Sequence, residues 1–200
     1  MANISQHKST SVTKLLLVGD SGSGKTSALA SLANAGKKLR ILDFDDGLDI
    51  LSEYLTPDAV SRVSYITLRD SLGQASAFRR GAQLLATWKD GEENFGSVKE
   101  WGDDTVLVID SLTLMGEAAL RGALVFNNKK PTEQPTQPEW GTAARDVQNI
   151  LQYITGDEVK CNVVVTSHIQ YMEGELGMSK AYPTSVGSKL STKIGRYFNC

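Results

Sequence analysis

The sequence has few cysteines, no long apolar run and almost no net charge. Only two of its 200 residues are cysteines, too few for a disulfide framework or a cysteine-rich metal site, so we expect a reducing compartment. No apolar run reaches the roughly 18 residues that a membrane helix needs, and the N-terminal stretch MANISQHKSTSVT is polar. The sequence therefore predicts no membrane span, no signal peptide and a cytoplasmic location.

The net charge of −2 gives no overall basic surface, so any contact with nucleic acid must be local. With 40% hydrophobic and 22% charged residues, the composition is that of an ordinary globular chain, and its length suits one domain. We predict a flexible N-terminal arm over residues 1–13 and a single domain over 14–200. Residues 194–200, IGRYFNC, have the pattern of a strand that has just begun. The sequence leaves open whether the fold ends there or is truncated.

Short apolar runs alternate with helical patterns along the chain, which is typical of βαβ units on a parallel sheet. Runs such as TVLVID and NVVVTS are nearly continuous in branched apolar residues, as expected for strands that are covered on both faces. The predicted strands are 14–18, 39–43, 62–67, 105–110 and 161–167, with a weaker strand at 194–199. The predicted helices lie near 25–35, 47–55, 72–89, 112–126 and 139–155. The predicted fold class is α/β, with a mostly parallel central sheet and helices on both faces.

Three segments show neither the apolar runs of strands nor the periodic pattern of helices, and we predict them to be irregular. Residues 90–104 are rich in glycine and acids, and residues 127–138 hold three of the five prolines. Residues 170–193 form a long polar stretch after an apolar strand. Loops longer than about 15 residues in a compact domain are usually functional or disordered, so this last segment is a candidate functional loop.

The segment KLLLVGDSGSGKT, residues 14–26, contains the pattern G-x-x-x-x-G-K-[ST] between a predicted strand and a predicted helix. Glycines let the backbone curl so that its N–H groups point at an anion, and the helix N-terminus adds positive charge. Lys25 would reach the β- and γ-phosphates of a nucleoside triphosphate, and the Thr26 hydroxyl would bind magnesium. A simple Gly/Ser turn would not need the flanking strand and helix. The predicted nucleotide-binding residues are Gly19, Asp20, Ser21, Gly22, Ser23, Gly24, Lys25, Thr26 and Ser27.

Asp110 ends the apolar strand TVLVID and is a candidate for the carboxylate that positions magnesium, through a water molecule. The alternative is that Asp110 or Ser111 only caps the following helix. A P-loop needs a carboxylate on the side of the metal, and Asp110 is the best placed. We therefore predict Thr26 and Asp110 as the magnesium-binding residues.

The second predicted strand ends in four aspartates, within the segment LRILDFDDGLDIL. Hydrolysis needs a group that orients the attacking water opposite the γ-phosphate, and one of these acids could supply it. The others would be solvated at a turn and a helix N-terminus, where acids are favoured. The four are Asp43, Asp45, Asp46 and Asp49.

His168 follows the apolar run NVVVTS at the end of another predicted strand. Ligands of open α/β sheets bind at the carboxyl ends of the strands, so His168 could touch the γ-phosphate and report the state of the nucleotide to the segment that follows. The alternative is an ordinary surface histidine.

Taken together, GDSGSGKT, ILDFDDGLD, VLVIDS and VVVTSHI resemble the core of the RecA-type recombinases in their order and spacing. The resemblance covers about residues 14–200 and implies a RecA-like P-loop ATPase that uses ATP and Mg²⁺. It implies that Asp45 activates water, with Asp46 as the reserve, and that Asp49 contacts adenine. It also implies a phosphate-sensing role for His168. The implied catalytic set is Lys25, Asp45, Asp110 and His168.

The chain also looks like the small phage RecA-like ATPases of the single-strand annealing type. These have a Pro-x-x-x-Gly-x-Lys-Leu segment and an aromatic pair, here residues 183–190 and Tyr197-Phe198. The resemblance implies action on single-stranded DNA in recombination or annealing, and a homo-oligomeric ring or filament. It further implies a phage origin, the host cytoplasm as location, and a single-strand-binding protein as a candidate partner.

Positive charge and aromatic side chains are interleaved near the C-terminus, as in sites that hold single-stranded nucleic acid. The alternative is an ordinary polar active-site loop. Three of these cations could instead complete the site of a neighbouring subunit, where a cation would stabilise transition-state charge: Lys189, Lys193 and Arg196. The predicted DNA contacts are Lys180, Lys189, Lys193 and Arg196.

Two other uses of the same core stay open. One is a replicative helicase, a helicase loader or a packaging motor, which would show directional unwinding or translocation. The other is a P-loop kinase for a small metabolite, which would need an acceptor pocket and an arginine-rich lid. The arginines of this chain are scattered, which disfavours the kinase.

Overall fold

The central sheet of the protein has five parallel strands in the order β1-β7-β6-β2-β3, as seen in a computed structural model that describes residues 12–173 and 178–200. This confirms the predicted α/β class. The parallel strands are β1 (Lys14–Gly19), β2 (Lys38–Asp43), β3 (Val63–Thr67), β6 (Thr105–Asp110) and β7 (Asn162–Glu173). Three further strands complete the set: β4 (Trp88–Asp90), β5 (Glu93–Gly96) and β8 (Ser179–Pro183). The helices are α1 (Lys25–Asn34), α2 (Asp49–Tyr54), α3 (Pro57–Val60), α4 (Ala77–Ala86), α5 (Leu112–Phe126), α6 (Gln137–Thr155) and α7 (Ser188–Ser191).

Strand β6 lies at the centre of the sheet, which explains why its sequence, TVLVID, is almost entirely apolar. Every residue of β6 is buried. Successive side chains point to opposite faces, so Val106 and Val108 pack in one core with α1, α2 and α3, while Leu107 and Ile109 pack in the other with α4, α5 and α6. Helices therefore cover both faces of the sheet, as the sequence predicts.

The parallel register brings the carboxyl ends of four strands to one edge. Gly19, the last residue of β1, lies opposite His168 of β7, and Asp43, the last residue of β2, lies opposite Asp110 of β6. The polar residues that follow these strands are therefore neighbours in space, although they are far apart in sequence.

The prediction of an irregular loop over 170–193 is wrong where β7, β8 and α7 fall within it. Strand β7 continues through Glu173 and pairs antiparallel with β8, with Ile169 opposite Pro183 and Glu173 opposite Ser179. Residues 174–177 of the predicted loop lie outside the described part of the chain. We call the paired residues 169–173 and 179–183 the β7–β8 hairpin. Its inner end joins the sheet directly at His168.

The weak strand predicted at 194–199 is also wrong, because residues Ile194–Tyr197 form a 3₁₀ helix. Only the last two residues reach the sheet edge. The amide of Cys200 donates to Lys14 O at 3.3 Å, and the amide of Leu16 donates to Cys200 O at 3.1 Å, so Cys200 bonds to β1 as a neighbouring parallel strand would.

Other boundaries differ for local reasons. The helix predicted at 72–89 covers only α4, since Gly73 before it has a φ of +81° that no helix accommodates. Within 90–104, which was expected to be irregular, β5 pairs with β4 and a 3₁₀ turn covers Val98–Glu100.

Of the predicted arm, residues 1–11 lie outside the described range, whereas Val12 is buried and the Thr13 amide donates to Asn162 Oδ1.

Candidate nucleotide-binding site

The P-loop connects β1 to α1 and is shaped by two glycines. Gly22 and Gly24 have φ values of +73° and +85°, in the left-handed region where residues with a Cβ are strained. Gly24 is the N-cap of α1, so the curl of the loop ends at the helix N-terminus. This arrangement aims backbone N–H groups and the positive end of α1 at one place, which is the requirement for binding phosphate.

Lys25 is the first residue of α1, and its side chain turns back over the loop. Its Nζ donates to the carbonyl oxygens of Gly19 and Asp20, at 2.9 Å and 2.8 Å. The ammonium group is thereby fixed beside the loop amides, where it can meet the charge of a β- or γ-phosphate.

Thr26 links the P-loop to strand β6. Its Oγ1 donates to Oδ2 of Asp110 at 2.8 Å, and Thr166 of β7 donates to the other carboxylate oxygen, Oδ1. Asp110 is only 2% exposed. Burial is the main cause that raises the pKa of Asp110, and neighbouring Asp45 raises it further, while the hydroxyls of Thr166 and Thr26 and the charge of Lys25 lower it.

The four aspartates after β2 have different surroundings, because a tight turn separates them. Asp43 is buried, and its Oδ1 accepts hydrogen bonds from the amides of Asp45 and Asp46, at 3.1 Å and 2.8 Å. Burial raises the pKa of Asp43. Asp46 adopts a φ of +56° and forms a 2.7 Å ion pair with Arg69, on the outside of the protein.

Asp45 points inward from the same turn. Its Oδ1 accepts hydrogen bonds from both the amide and the hydroxyl of Ser111, at 3.1 Å and 2.7 Å. Of the four acids after β2, Asp45 is the one that lines the cavity beside the P-loop. Asp46, the reserve candidate, faces Arg69 instead.

This cavity has a volume of about 460 Å³, within the range of small-ligand sites. It brings together predicted residues from four separate strand ends and adds two residues of α2 that the sequence did not single out, Ile50 and Tyr54. These two side chains are four positions apart and so share one helix face. Asp49 is exposed and does not line the cavity. The lining residues are Ser21, Gly22, Gly24, Lys25, Thr26, Ser27, Asp45, Ile50, Tyr54, Asp110 and His168.

His168 lines the cavity at the point where the β7–β8 hairpin begins. Its carbonyl accepts from the amide of Thr184 at 2.7 Å, and its own amide donates to Thr113 Oγ1 at 3.0 Å. Thr113 also donates to Thr184 O at 3.3 Å. The base of the hairpin is therefore tied both to the cavity-lining strand and to the first turn of α5.

The predicted DNA-binding cations lie outside the cavity. Lys180 is exposed on β8, opposite Met172, and Lys189 is exposed on α7. Lys193 and Arg196 are exposed around the final 3₁₀ helix, where the guanidinium of Arg196 lies 4.9 Å from the ring centroid of Tyr197. The structure thus places these residues in two groups, one on the hairpin and one after it.

A family model described as an AAA domain matches residues 11–199 of the chain. The chain belongs to this AAA domain family. No curated protein sequence matches the chain.

Among solved structures, the AAA domain is similar to an ATPase from the type III secretion system of pathogenic bacteria, with a TM-score of 0.53 and 11% identity. That similarity covers 94% of this chain and 49% of the other, so the chain spans about half the length of the secretion ATPase. The RadB recombinase gives a TM-score of 0.47 at 16% identity, covering 94% and 72% of the two chains. The ATP synthase subunit NeqB from Nanoarcheaum equitans gives 0.46 at 13% identity, covering 92% and 53%. The fold is that of the RecA-like P-loop ATPases.

Magnesium fits the oxygen groups beside the P-loop of this AAA domain. Mg²⁺ prefers oxygen ligands and is usually held by one or two carboxylates together with the phosphates of the substrate. The Thr26 hydroxyl and the Asp110 carboxylate supply such oxygens next to each other. Across residues 12–173 and 178–200 there is no group of three or more acidic, histidine or cysteine side chains that could form a separate metal cage. Within the same ranges, no helix is long and apolar enough to cross a membrane.

Proposed function

We propose that this AAA domain binds and hydrolyses ATP and acts on single-stranded DNA in recombination or annealing. One observation carries the proposal: the P-loop, two carboxylates and His168 line one cavity, and a hairpin begins at His168. A ligand on the hairpin and a nucleotide in the cavity would therefore contact parts of the same strand.

The roles in hydrolysis follow from the positions of the side chains. Lys25 and the loop amides would bind the β- and γ-phosphates, and Thr26 and Asp110 would hold magnesium, the latter through water. The metal would supply positive charge for the transferred phosphate. Asp45 would orient the attacking water, because its carboxylate lies in the same cavity and Asp46 is turned away to Arg69.

The adenine base would lie against α2. Ile50 and Tyr54 are 40% and 56% exposed and line the cavity on one helix face, so they offer an apolar and aromatic surface to a planar ring. Asp49, at the first residue of α2, would contact the edge of the base if the base extends to the rim.

Single-stranded DNA would bind along the β7–β8 hairpin. Tyr171 is 66% exposed on β7 and can stack on bases, while Lys180 on β8 can meet phosphates. Lys189 would extend this surface beyond the hairpin.

A homo-oligomer would complete the ATP site. Lys189, Lys193 and Arg196 are exposed, and none of the three lines the cavity of its own chain. A cation from one of them could instead reach the cavity of a neighbouring copy. The single-strand-binding partner and the phage origin rest on the sequence resemblance alone.

The decisive experiment measures the ATPase rate with and without single-stranded DNA, together with DNA binding by fluorescence anisotropy. We expect DNA to stimulate hydrolysis, and Lys180→Ala to weaken binding and to reduce the salt slope by about 0.7, the single-strand value for one phosphate contact. Lys37→Ala is the matched control, since Lys37 is a partly exposed lysine bonded to Asp103 O away from the hairpin. No DNA binding at low salt would exclude the annealing function. Directional unwinding would instead favour a helicase or motor, and phosphate transfer to a metabolite would favour a kinase.

A further inference from the structure

Ser111 lies directly after Asp110 as the N-cap residue of α5, and both of its hydrogen-bond donors are directed at Asp45. The amide and the hydroxyl donate to the same oxygen, Asp45 Oδ1, at 3.1 Å and 2.7 Å. Ser111 is 1% exposed and is not among the residues that line the cavity. It therefore contacts Asp45 without contacting the space that a nucleotide would fill.

The two bonds fix an otherwise mobile carboxylate. An aspartate side chain turns about two bonds, and a free carboxylate would sample several directions. With Oδ1 held twice by Ser111, the plane of the carboxylate is set and Oδ2 is left to accept a hydrogen bond from water. Alignment of this kind matters because a displacement of about 1 Å in a reacting group can cost a factor of roughly 100 in rate.

We propose that Ser111 is a positioning residue for ATP hydrolysis, which holds Asp45 in the orientation that aligns the attacking water. This inference rests on the proposed role of Asp45. It adds a second residue to the hydrolytic step and connects that step to the start of α5.

A purely structural role for Ser111 makes a different prediction. Its hydroxyl also accepts from the amide of Leu114 and so caps α5, but that distance is 3.4 Å, much longer than the bond to Asp45. Loss of a helix cap lowers stability without changing the chemical step. Thr136, at the start of α6, provides a matched control, because it hydrogen-bonds Glu139 and does not line the cavity.

The test is a double-mutant cycle on steady-state ATPase kinetics, with thermal unfolding measured in parallel. We expect Ser111→Ala to lower kcat by roughly tenfold or more, and to leave the KM for ATP within about twofold. In the Asp45→Asn background the same change should lower kcat by less than about twofold, because the group that it positions is already lost. Ser111→Cys, which keeps the size but donates more weakly, should give an intermediate kcat. Thr136→Ala should change the unfolding midpoint but not kcat.

Three results would overturn the inference. The first is a wild-type kcat for a folded Ser111→Ala protein. The second is an equal fold-loss in the wild-type and Asp45→Asn backgrounds, and the third is an effect confined to KM. A wild-type protein that does not hydrolyse ATP would overturn the proposed function first, and this inference with it. That outcome is distinct from an active wild type whose kcat does not change when Ser111 is replaced.

Discussion

Thr26 and Asp110 are joined by a 2.8 Å hydrogen bond, although 84 positions separate them in the chain. The bond connects the first turn of the helix after the P-loop to the end of the most buried strand. On its other side, Asp110 accepts from Thr166. Among residues 12–173 and 178–200, Asp110 bonds to two hydroxyls and forms no ion pair, and such a buried carboxylate costs stability because burial disfavours its charge.

Asp110→Asn should therefore stabilise the protein at neutral pH while impairing hydrolysis. Burial raises the pKa of Asp110, so the folded protein binds the proton more tightly than the unfolded chain does. The contribution of Asp110 to stability is complete below its unfolded pKa of about 3.9 and is lost as pH rises through the folded pKa. We expect the variant to have a higher free energy of unfolding than the wild type at pH 7, and this gain to disappear below about pH 4.

Thermal unfolding of Asp110→Asn and wild type across this pH range checks the prediction, with ATPase assays at increasing magnesium. The variant should need more Mg²⁺ or lose turnover. A variant that is less stable than the wild type at pH 7 would contradict the physical account of the buried charge.

Lys25→Ala should abolish ATP turnover, because the P-loop loses the side-chain cation that meets the β- and γ-phosphates. The fold should persist, since Lys25 donates only to two carbonyls of the loop. Circular dichroism and an ATPase assay measure the two properties, and Lys37→Ala should keep wild-type turnover. Normal hydrolysis by folded Lys25→Ala protein would refute the assignment of the site.

Asp45→Asn and Asp46→Asn form a matched pair that separates the two neighbouring acids. Asp45→Asn should keep ATP affinity within a few fold and reduce kcat by about 10²–10⁴, the size of a general-base effect. Asp46→Asn should keep kcat, because Asp46 faces Arg69 and asparagine tolerates its positive φ. Single-turnover kinetics and nucleotide binding measure both. The reverse pattern would show that Asp46, and not Asp45, orients the attacking water.

His168→Ala should uncouple nucleotide from DNA. If His168 senses the γ-phosphate at the base of the hairpin, ATP should tighten DNA binding, and DNA should tighten ATP binding by the same factor. The variant should keep the DNA affinity of the nucleotide-free protein and lose the effect of a non-hydrolysable ATP analogue. Fluorescence anisotropy with a labelled oligonucleotide measures each state, and an undiminished ATP effect in the variant would exclude this role.

The parts of the fold that depend on local chemistry follow from the sequence. The P-loop and strand β6 are examples, because their residues determine the conformation of a short segment and its burial. The β7–β8 hairpin does not follow in the same way, since β8 contains Ser179, Lys180 and Ala181, which have weak strand preference. Its conformation depends on pairing with β7, which the residue preferences of β8 alone do not predict.

The candidate site also has features that follow from the local sequence and features that do not. The residues alone identify four aspartates after β2 without choosing among them, and only the resemblance selects Asp45. Which of the four lines the cavity depends on the turn that Asp43 stabilises. The resemblance places adenine at Asp49, whereas the cavity wall is formed by Ile50 and Tyr54. The periodicity of α2 could have suggested this pair, which lies on one face of the helix.

Residues at the start of α5 contact both an acid of the nucleotide cavity and the base of the hairpin. Ser111 bonds the acid of the cavity, and two residues later Thr113 bonds the base of the hairpin. Farther along the helix, Gly116 lies so close to Val186 that a Cβ there would come within 3.0 Å of its amide nitrogen. The start of α5 is therefore packed directly against the segment that follows the hairpin, so a shift of one would displace the other. Directed evolution of the hairpin for new ligands would then alter catalytic rate as a side effect, unless compensating changes arose in this single helical turn.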